Sequence, residues 1–193
     1  TEIESIKRIK GNKRPINDES FRMQLLKSLN LVEGYQFFQK KWINDFNDKT
    51  TTTIQSWIDK SNLSHSSNLL LQMDIEGSEY PALLNTPNSC LGQFKIMVIE
   101  FHHLNRLGNE RFLNQIFLPL MQKILLKFDC VHAHPNNCLP AVEMAGLKIP
   151  QVIELTFYRK DCNKGGKTLF IPHPKDIVNV PSKPKLILGK PWI

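Results

Sequence analysis

The stretch Leu69-Leu-Leu-Gln-Met-Asp-Ile-Glu-Gly77 determines the predicted fold, because a short apolar run changes abruptly into charged residues and a glycine. An apolar run of this length after the polar linker 61–68 is typical of a buried strand. The run 95–101, Lys-Ile-Met-Val-Ile-Glu-Phe, repeats the pattern and is followed by His102 and His103. The sequence therefore predicts two buried strands that each end in ionisable groups.

Helical patterns lie on both sides of these strands. Thr52 with Gln55 three positions later fits a capping box and predicts a helix at about 51–61. A short helix is expected at 80–84. Between 109 and 128 the apolar residues form two adjacent rows at spacing four, and Pro119 predicts an interruption there.

The remaining elements complete the predicted organisation. Residues 130–133 and 152–158 are predicted as a third and a fourth strand. Upstream, a capping residue at Asp18 or Ser20 begins an amphipathic pattern that predicts a helix. We expect a helical segment over 1–50, an α/β core over 51–160 and an irregular, proline-rich tail over 161–193, within one compact domain. Alternating strands and helices predict β-α-β units with helices on the sheet faces.

Composition excludes several classes of protein. Hydrophobic residues make up 41% and charged residues 22% of the 193 residues, which matches a globular chain rather than a disordered one. No apolar run approaches the roughly 18 residues that span a bilayer, and the first residues are polar and basic rather than signal-like. The four cysteines form no C-x-x-C pair. We therefore expect a cytoplasmic protein without membrane contact, disulfides or a cysteine zinc site.

Positive charge is concentrated at the two ends of the chain, and the net charge is +7. Such a balance favours acidic partners in general. No aromatic residues interleave with the basic clusters at 7–14 and 183–190, so contact with nucleic acid is not expected. A solvated basic surface accounts for this charge.

Polar residues follow three of the predicted strands. Ligands of parallel sheets bind beyond the carboxyl ends of the strands, and these ends lie at the same edge of the sheet. The sequence therefore predicts a convergent polar site. Its candidate residues are Asp74, Glu76, Glu100, His102, His103, His132, His134, Asn136 and Asn137.

Two of these strand ends carry a family resemblance. Leu71-Gln-Met-Asp-Ile-Glu-Gly-Ser-Glu79, followed by Val98-Ile-Glu-Phe-His102, resembles the FkbM-type methyltransferases, whose pattern is K-I-D-x-E-G-x-E and then E-x-H. The resemblance implies a partial Rossmann-like methyltransferase sheet, mostly parallel with an antiparallel strand near the carboxyl end. It also implies S-adenosylmethionine as cofactor and an O-methylated sugar or small molecule as partner.

Roles for individual residues follow from the resemblance and from the strand ends. Asp74, Glu76 and Gly77 are the expected cofactor-binding residues, since Gly77 permits a close backbone approach. Asp74, Glu100 and His102 are the expected catalytic residues, with His102 as general base because an imidazole titrates near neutral pH. On the substrate side we place Glu79, His103, His132, Asn136 and Asn137.

The segment before Asp74 departs from a complete methyltransferase. Such a domain holds its cofactor at a glycine-rich turn after the first strand. Gly11 and Gly34 do not follow apolar strand-like runs, and no G-x-G occurs before Asp74. We therefore expect a fragment of a longer protein, or a shortened relative that has lost cofactor binding and is inactive alone.

Two other functions are compatible with the same residues. A metal-dependent hydrolase could use Asp74, Glu76, His102 and His134 as ligands around an activated water. His132 and His134 form an H-x-H pair on one strand face, but six histidines make such a pair common by chance, so no metal site is assigned. A cofactor-free interaction module, including a homo-oligomer, could instead use the exposed edge of the first strand.

Overall fold

The computed structural model describes residues 39–165 and 171–188. The chain divides into two units, Thr1–Gln39 and Lys40–Ile193, and nearly all described residues belong to the second. The helix predicted from Asp18 or Ser20 lies outside the described residues. The predicted boundaries at 50 and 160 stay predictions.

Four strands form the main sheet of the described residues. Before them, β1 (Trp42–Ile43) and β2 (Thr51–Thr52) make a short parallel pair. The main sheet consists of β3 (Leu69–Met73), β4 (Phe94–Phe101), β5 (Phe128–Pro135) and, after a hairpin, β8 (Ile153–Arg159). The hairpin pairs β6 (Val142–Met144) with β7 (Leu147–Ile149), and its pattern was not foreseen from the sequence.

Strand direction confirms the predicted fold class. The order across the main sheet is β3-β4-β8-β5. β3 and β4 are parallel, while β8 is antiparallel to both β4 and β5. Three strands thus point the same way and β8 opposes them, which gives a mostly parallel sheet with an antiparallel strand near the carboxyl end.

Helices occupy the connections between the strands. They are α1 (Ile54–Lys60), α2 (Glu79–Asn85), α3 (Asn88–Leu91), α4 (Glu110–Phe112), a π-helical turn (Leu113–Phe117) and α5 (Leu118–Leu125). Short 3-10 turns lie at Leu104–Gly108 and Lys160–Cys162. In the described part of the chain, no helix is long and apolar enough to cross a bilayer.

The cap of α1 differs from the prediction by one residue. Thr53, not Thr52, is the N-cap, and its hydroxyl accepts the backbone N–H of Ser56 at 3.2 Å. Thr52 belongs to β2, where it pairs with Ile43. The capping box predicted from Thr52 was therefore wrong, because the backbone of that residue is already committed to a strand.

Pro119 interrupts the long helical pattern as predicted. The π-helical turn ends directly before α5, and Pro119 lies in the first turn of α5. Proline has no N–H to donate, and its ring clashes with the carbonyl four residues earlier in a regular helix. A widened turn is a common way for a helix to absorb such a defect.

The core lies on one face of the main sheet. Met97, Ile99 and Phe101 alternate along β4 and are each 0% exposed. Leu83 of α2 and Leu120 of α5 are equally buried, as expected for apolar helix faces packed on a sheet. Residues on the other face are only partly covered, and the row formed by Glu100, Glu154 and His134 belongs to it. Polar side chains near the carboxyl ends of the strands are thereby left accessible.

Candidate active site

His102 lies at the centre of a cluster of carboxylates at the carboxyl ends of β3 and β4. Its Nε2 is 3.7 Å from Asp74 Oδ1, 3.5 Å from Glu76 Oε2 and 3.6 Å from Glu100 Oε2. We call the group Asp74, Glu76, Glu79, Glu100 and His102 the rim. The first strand-end motif and the second therefore meet at one point, as the topology of parallel strands requires.

Glu79 is the buried support of the rim. Its side chain is 0% exposed, and it begins α2. Its Oε2 accepts the backbone N–H of Gly77 at 2.8 Å, and its Oε1 accepts the backbone N–H of His102 at 2.7 Å. Oε1 also lies 3.3 Å from His102 Nδ1. One carboxylate thus connects the turn after β3 to the end of β4, which fits positioning of His102 rather than direct contact with a ligand.

Tyr80 anchors the backbone of His102 at the end of β4. Its hydroxyl donates to the carbonyl oxygen of His102 at 2.6 Å, and its ring is 3% exposed. The ring packs edge-on against Phe112 and at a tilt against Phe101. Sequence analysis did not assign Tyr80 to the site, because an aromatic residue in a short helix gives no signal beyond core packing.

Three residues of the rim turns have left-handed backbone conformations. Glu76 has φ 57°, Gly77 has φ 105° and His103 has φ 60°. A Cβ atom on Gly77 would lie 2.9 Å from two atoms of the His103 ring. The close approach predicted for Gly77 is therefore made by a side chain of its own chain. Such strain persists only where surrounding contacts fix it, and it concentrates at functional sites.

Electrostatics at the rim favour a protonated imidazole. Burial alone would lower the pKa of His102, but its hydrogen bond to Glu79 and the charges of Glu79, Glu100 and Glu76 outweigh burial and raise that pKa. For Glu79, burial alone would raise the pKa, yet the hydrogen bonds from His102 lower it. The pair consequently holds one negative and one positive charge between the lowered pKa of Glu79 and the raised pKa of His102.

Glu100 differs from the other rim carboxylates. Burial and the charge of Asp74 raise its pKa, against an opposing hydrogen bond from Asn136. The Asn136 side-chain amide donates to Glu100 Oε1 at 2.7 Å, and its Oδ1 accepts the backbone N–H of Cys138. Asn136 thus brings the end of β5 to the rim. The burial of Glu100 and the neighbouring Asp74 therefore favour a bound proton on Glu100.

A second imidazole and carboxylate group lies farther along the accessible sheet face. His132 Nε2 is 3.1 Å from Asp176 Oδ1, and His134 Nδ1 is 3.8 Å from Asp176 Oδ2. We call His132, His134 and Asp176 the tail cluster. Asp176 was not foreseen, since it lies in an irregular segment far along the chain from the histidines.

The predicted site residues therefore divide into three groups. Asp74, Glu76, Glu100, His102 and Asn136 meet at the rim, and Glu79, Gly77 and His103 shape it. His132 joins the tail cluster instead. Asn137 binds its own chain, because its amide donates to the carbonyls of Val180, Lys183 and Pro184. The ligand and catalytic roles of all these residues stay predictions.

Comparison with known proteins decides the family. A family model described as the methyltransferase FkbM domain matches residues 20–130. The chain belongs to the FkbM methyltransferase family. The FkbM match includes residues 20–50, for which no motif was predicted, and contains every rim residue. Searches of curated proteins and of solved structures gave no match.

The rim has one property that fits the cofactor of FkbM methyltransferases. The carboxylates of Asp74 and Glu76 supply negative charge beside one imidazole, and S-adenosylmethionine carries a positive sulfonium. For the adenosine end, residues 39–165 and 171–188 contain no G-x-G turn after a parallel strand. The charges at the rim thus suit the cationic end of the cofactor, and no contact to adenosine is assigned to the described residues.

Proposed function

We propose that the rim forms the acceptor side of an S-adenosylmethionine-dependent O-methyltransferase, with His102 as general base. FkbM family membership supports methyl transfer. The observation that carries the choice of an oxygen acceptor is the buried Glu79 carboxylate on Nδ1 of His102, with Nε2 turned toward the rim. A hydroxyl group must lose its proton when its oxygen takes a methyl group, and this arrangement supplies a base for that proton.

Glu79 prepares His102 for this role. A carboxylate on Nδ1 fixes the proton on that nitrogen and leaves the lone pair of the neutral ring on Nε2. During transfer the acceptor O–H bond breaks, an Nε2–H bond forms, and the new O–C bond takes the electron pair of the oxygen. The cofactor, when bound, would supply an electrophilic methyl group, and the carbon–sulfur bond that breaks would leave its electron pair on sulfur as a neutral thioether. Positioned bases of this kind contribute about 100- to 10,000-fold in rate.

The remaining rim residues suit a polyhydroxylated acceptor. Asp74, Glu76 and Glu100 present carboxylate oxygens that accept hydrogen bonds from hydroxyl groups. The same charges stabilise the imidazolium that His102 becomes after it takes the proton. A sugar, or a small molecule with neighbouring hydroxyls, is the acceptor class that this chemistry favours. Asp74 and Glu76 are also the residues proposed to face the cationic end of the cofactor.

Calorimetry with S-adenosylmethionine tests the cofactor part of the proposal. The sequence-based expectation is that this chain gives no heat, because no glycine-rich turn was recognised. Micromolar binding would support the proposal and overturn that expectation, whereas no heat would contradict cofactor binding by this chain. As a control, the heat of S-adenosylmethionine binding is measured with and without the demethylated product S-adenosylhomocysteine. The product should compete for the same site and reduce that heat.

A methyl-transfer assay tests the base. Labelled S-adenosylmethionine is incubated with a panel of sugars and the parent chain, and in parallel with the same chain carrying His102→Gln. We expect incorporation to fall about 100-fold or more in the variant. The exposed His65 provides a matched control, and His65→Gln should leave incorporation unchanged. Equal incorporation by His102→Gln and the parent protein would contradict the assignment.

Metal-dependent hydrolysis is a second candidate function, and one observation favours it. Asp74, Glu100 and His102 each offer a ligand atom, and these atoms all lie within 4.8 Å of one another. The ligand set predicted from sequence is divided, however, because His134 pairs with Asp176 rather than with the rim. Elemental analysis of the metal-loaded parent chain and of His102→Gln distinguishes the candidates, since a rim hydrolase should lose one equivalent of metal with that ligand.

A further inference from the structure

The tail cluster lies outside the proposed rim chemistry and has the composition of a metal site. His132 and His134 come from alternate positions of β5 and therefore point to the same side of the sheet. Their rings are nearly parallel, with centroids 6.5 Å apart. Asp176 reaches both rings from the C-terminal segment. Two imidazoles and one carboxylate thus converge from two separate parts of the chain.

We propose that His132, His134 and Asp176 bind a divalent transition-metal ion, zinc foremost, which fixes the C-terminal segment on β5. One ligand atom from each residue lies within 4.8 Å of the other two. In a tetrahedral site with bonds of about 2.0–2.1 Å, ligand atoms are about 3.3 Å apart. His132 Nε2 lies 3.1 Å from Asp176 Oδ1 and His134 Nδ1 lies 3.8 Å from Asp176 Oδ2, and both distances are close to that value.

The hydrogen bond of His134 Nε2 favours a cation between His134 Nδ1 and Asp176. Nε2 of His134 lies 3.1 Å from the side-chain oxygen of Asn179, which only accepts hydrogen bonds, so Nε2 donates. In the neutral ring, Nδ1 then carries the lone pair, and it faces the Asp176 carboxylate. Two lone pairs repel each other unless a proton or a metal cation lies between them, and the proposed ion fills this position. A hydrogen bond from the outer nitrogen to a fixed acceptor is also the usual way in which a metal-ligating histidine is oriented.

The carboxylate is held in place without the metal. The backbone N–H of His173 donates to Asp176 Oδ2 at 2.8 Å, and the N–H of Asp176 returns a bond to the carbonyl of His173. Asn137 fastens the following residues, since its Oδ1 accepts the N–H of Val180 and its amide donates to the carbonyl of Val180. Preorganised ligands lower the ordering cost of binding.

The ligand chemistry selects the class of ion. Imidazole nitrogens suit zinc and neighbouring transition metals, whereas magnesium and calcium prefer oxygen ligands throughout. The side chains are partly accessible, with 25% of His132, 16% of His134 and 10% of Asp176 exposed. An ion can therefore enter from solution, and a water can complete its coordination.

Zinc binding to the whole chain tests this proposal. The protein is stripped with a chelator, loaded with Zn²⁺, and measured by elemental analysis and calorimetry. We expect one zinc per chain, which is lost in the double variant His132→Ala/His134→Ala. Loss of a direct ligand in Asp176→Asn should weaken binding about 100-fold, because even outer-shell changes cost 10- to 100-fold. A Co²⁺ spectrum of the parent protein should report imidazole ligands and change in Asp176→Asn.

Two control variants and a melting experiment test whether zinc binds at the tail cluster. His65→Ala, at an exposed histidine outside both clusters, should retain full zinc stoichiometry. Asn179→Ala keeps all three ligands and should weaken binding by about 10- to 100-fold through the lost orientation of His134. The melting temperature of the parent chain, but not of Asp176→Asn, should rise with zinc, since an ion that binds only the folded state stabilises it. No bound zinc after loading, or zinc lost in His102→Gln but kept in the double variant, overturns the proposal.

Discussion

The rim and the tail cluster each place a histidine beside a carboxylate near the same sheet, yet they are built differently. At the rim, Glu79 is completely buried and is fixed by backbone N–H groups of Gly77 and His102. In the tail cluster both Asp176 and its imidazole partners are partly exposed. Because Glu79 is buried, its contacts with His102 form part of the folded core. The tail cluster is partly exposed, so ions and water can reach its side chains from solution.

Removal of Glu79 should have the largest effect on stability. Glu79→Ala leaves two backbone donors and a charged imidazole buried without their acceptor, and we expect the free energy of unfolding to fall by about 3–5 kcal/mol. Chemical denaturation measures the loss. Asp176→Ala in metal-free protein is the matched comparison, because its carboxylate is partly solvated, and it should cost about 1 kcal/mol. Equal losses of unfolding free energy in Glu79→Ala and Asp176→Ala would contradict the proposed difference in burial between the rim and the tail cluster.

Gly77→Ala should be the next most damaging change. The new Cβ would meet the His103 ring at 2.9 Å on a backbone with φ 105°, and we expect a loss of about 2–3 kcal/mol. Gly146→Ala is the control, because it has φ 77° but no atom within 4 Å of the added carbon, and it should cost about 1 kcal/mol. Thermal melts compare them. Adding His103→Ala to Gly77→Ala should restore part of the loss, and no recovery would contradict the steric explanation.

Asn137→Ala should weaken the tail cluster without changing the rim. The 4% exposed side chain connects β5 to the segment that carries Asp176, and its removal should cost about 1–2 kcal/mol. We expect faster proteolysis between 171 and 188 and weaker zinc binding, while the nuclear magnetic resonance signals of His102 stay unchanged. Asn105→Ala, at an exposed position, is the control. Altered His102 signals would show that the tail supports the rim.

The smallest effect concerns pH. The pKa of folded His102 is raised above its ordinary value of 6.5, so its stabilising contribution is complete below that pH and is lost as the pH rises through the raised pKa. Glu79 behaves oppositely, since its lowered pKa gives stability that is present above 4.5 and is lost as the pH falls through the folded value. Methyl transfer should increase with pH as His102 loses its proton.

Histidine titration by nuclear magnetic resonance checks this prediction. Glu79→Gln removes the carboxylate whose hydrogen bond and charge contribute most to raising the pKa of His102, and it should lower that pKa. Asp176→Asn changes the other cluster and should leave the titration of His102 unaltered. An unchanged pKa in Glu79→Gln would exclude Glu79 as the cause of the shift.

Sequence patterns located the rim because its determinants are close in the chain. Asp74, Glu76 and Glu79 follow one strand, and Glu100 and His102 end the next, so strand length and parallel topology were sufficient to bring them together. The distinct role of Glu79 was not accessible in this way. Burial depends on what packs around a side chain, and a glutamate at a helix start looks the same whether it faces solvent or a histidine.

The tail cluster shows where such patterns fail. The H-x-H pair was visible, but its carboxylate partner comes from a segment without periodicity, and only the folded path of the chain brings Asp176 to β5. The hairpin of β6 and β7 was missed for a related reason. Its strands are three residues long, and its turn depends on left-handed Ala145 and Gly146 rather than on an extended apolar pattern.

Two carbonyl groups just before β8 have a consequence for engineering. The carbonyl of Gln151 accepts the N–H of Leu104, and the carbonyl of Val152 accepts the N–H of Asn136, so the entry to β8 holds both neighbouring strand ends. The hairpin precedes these anchors. The turn between its strands, Ala145 and Gly146, could therefore be lengthened without altering the spacing of the rim residues.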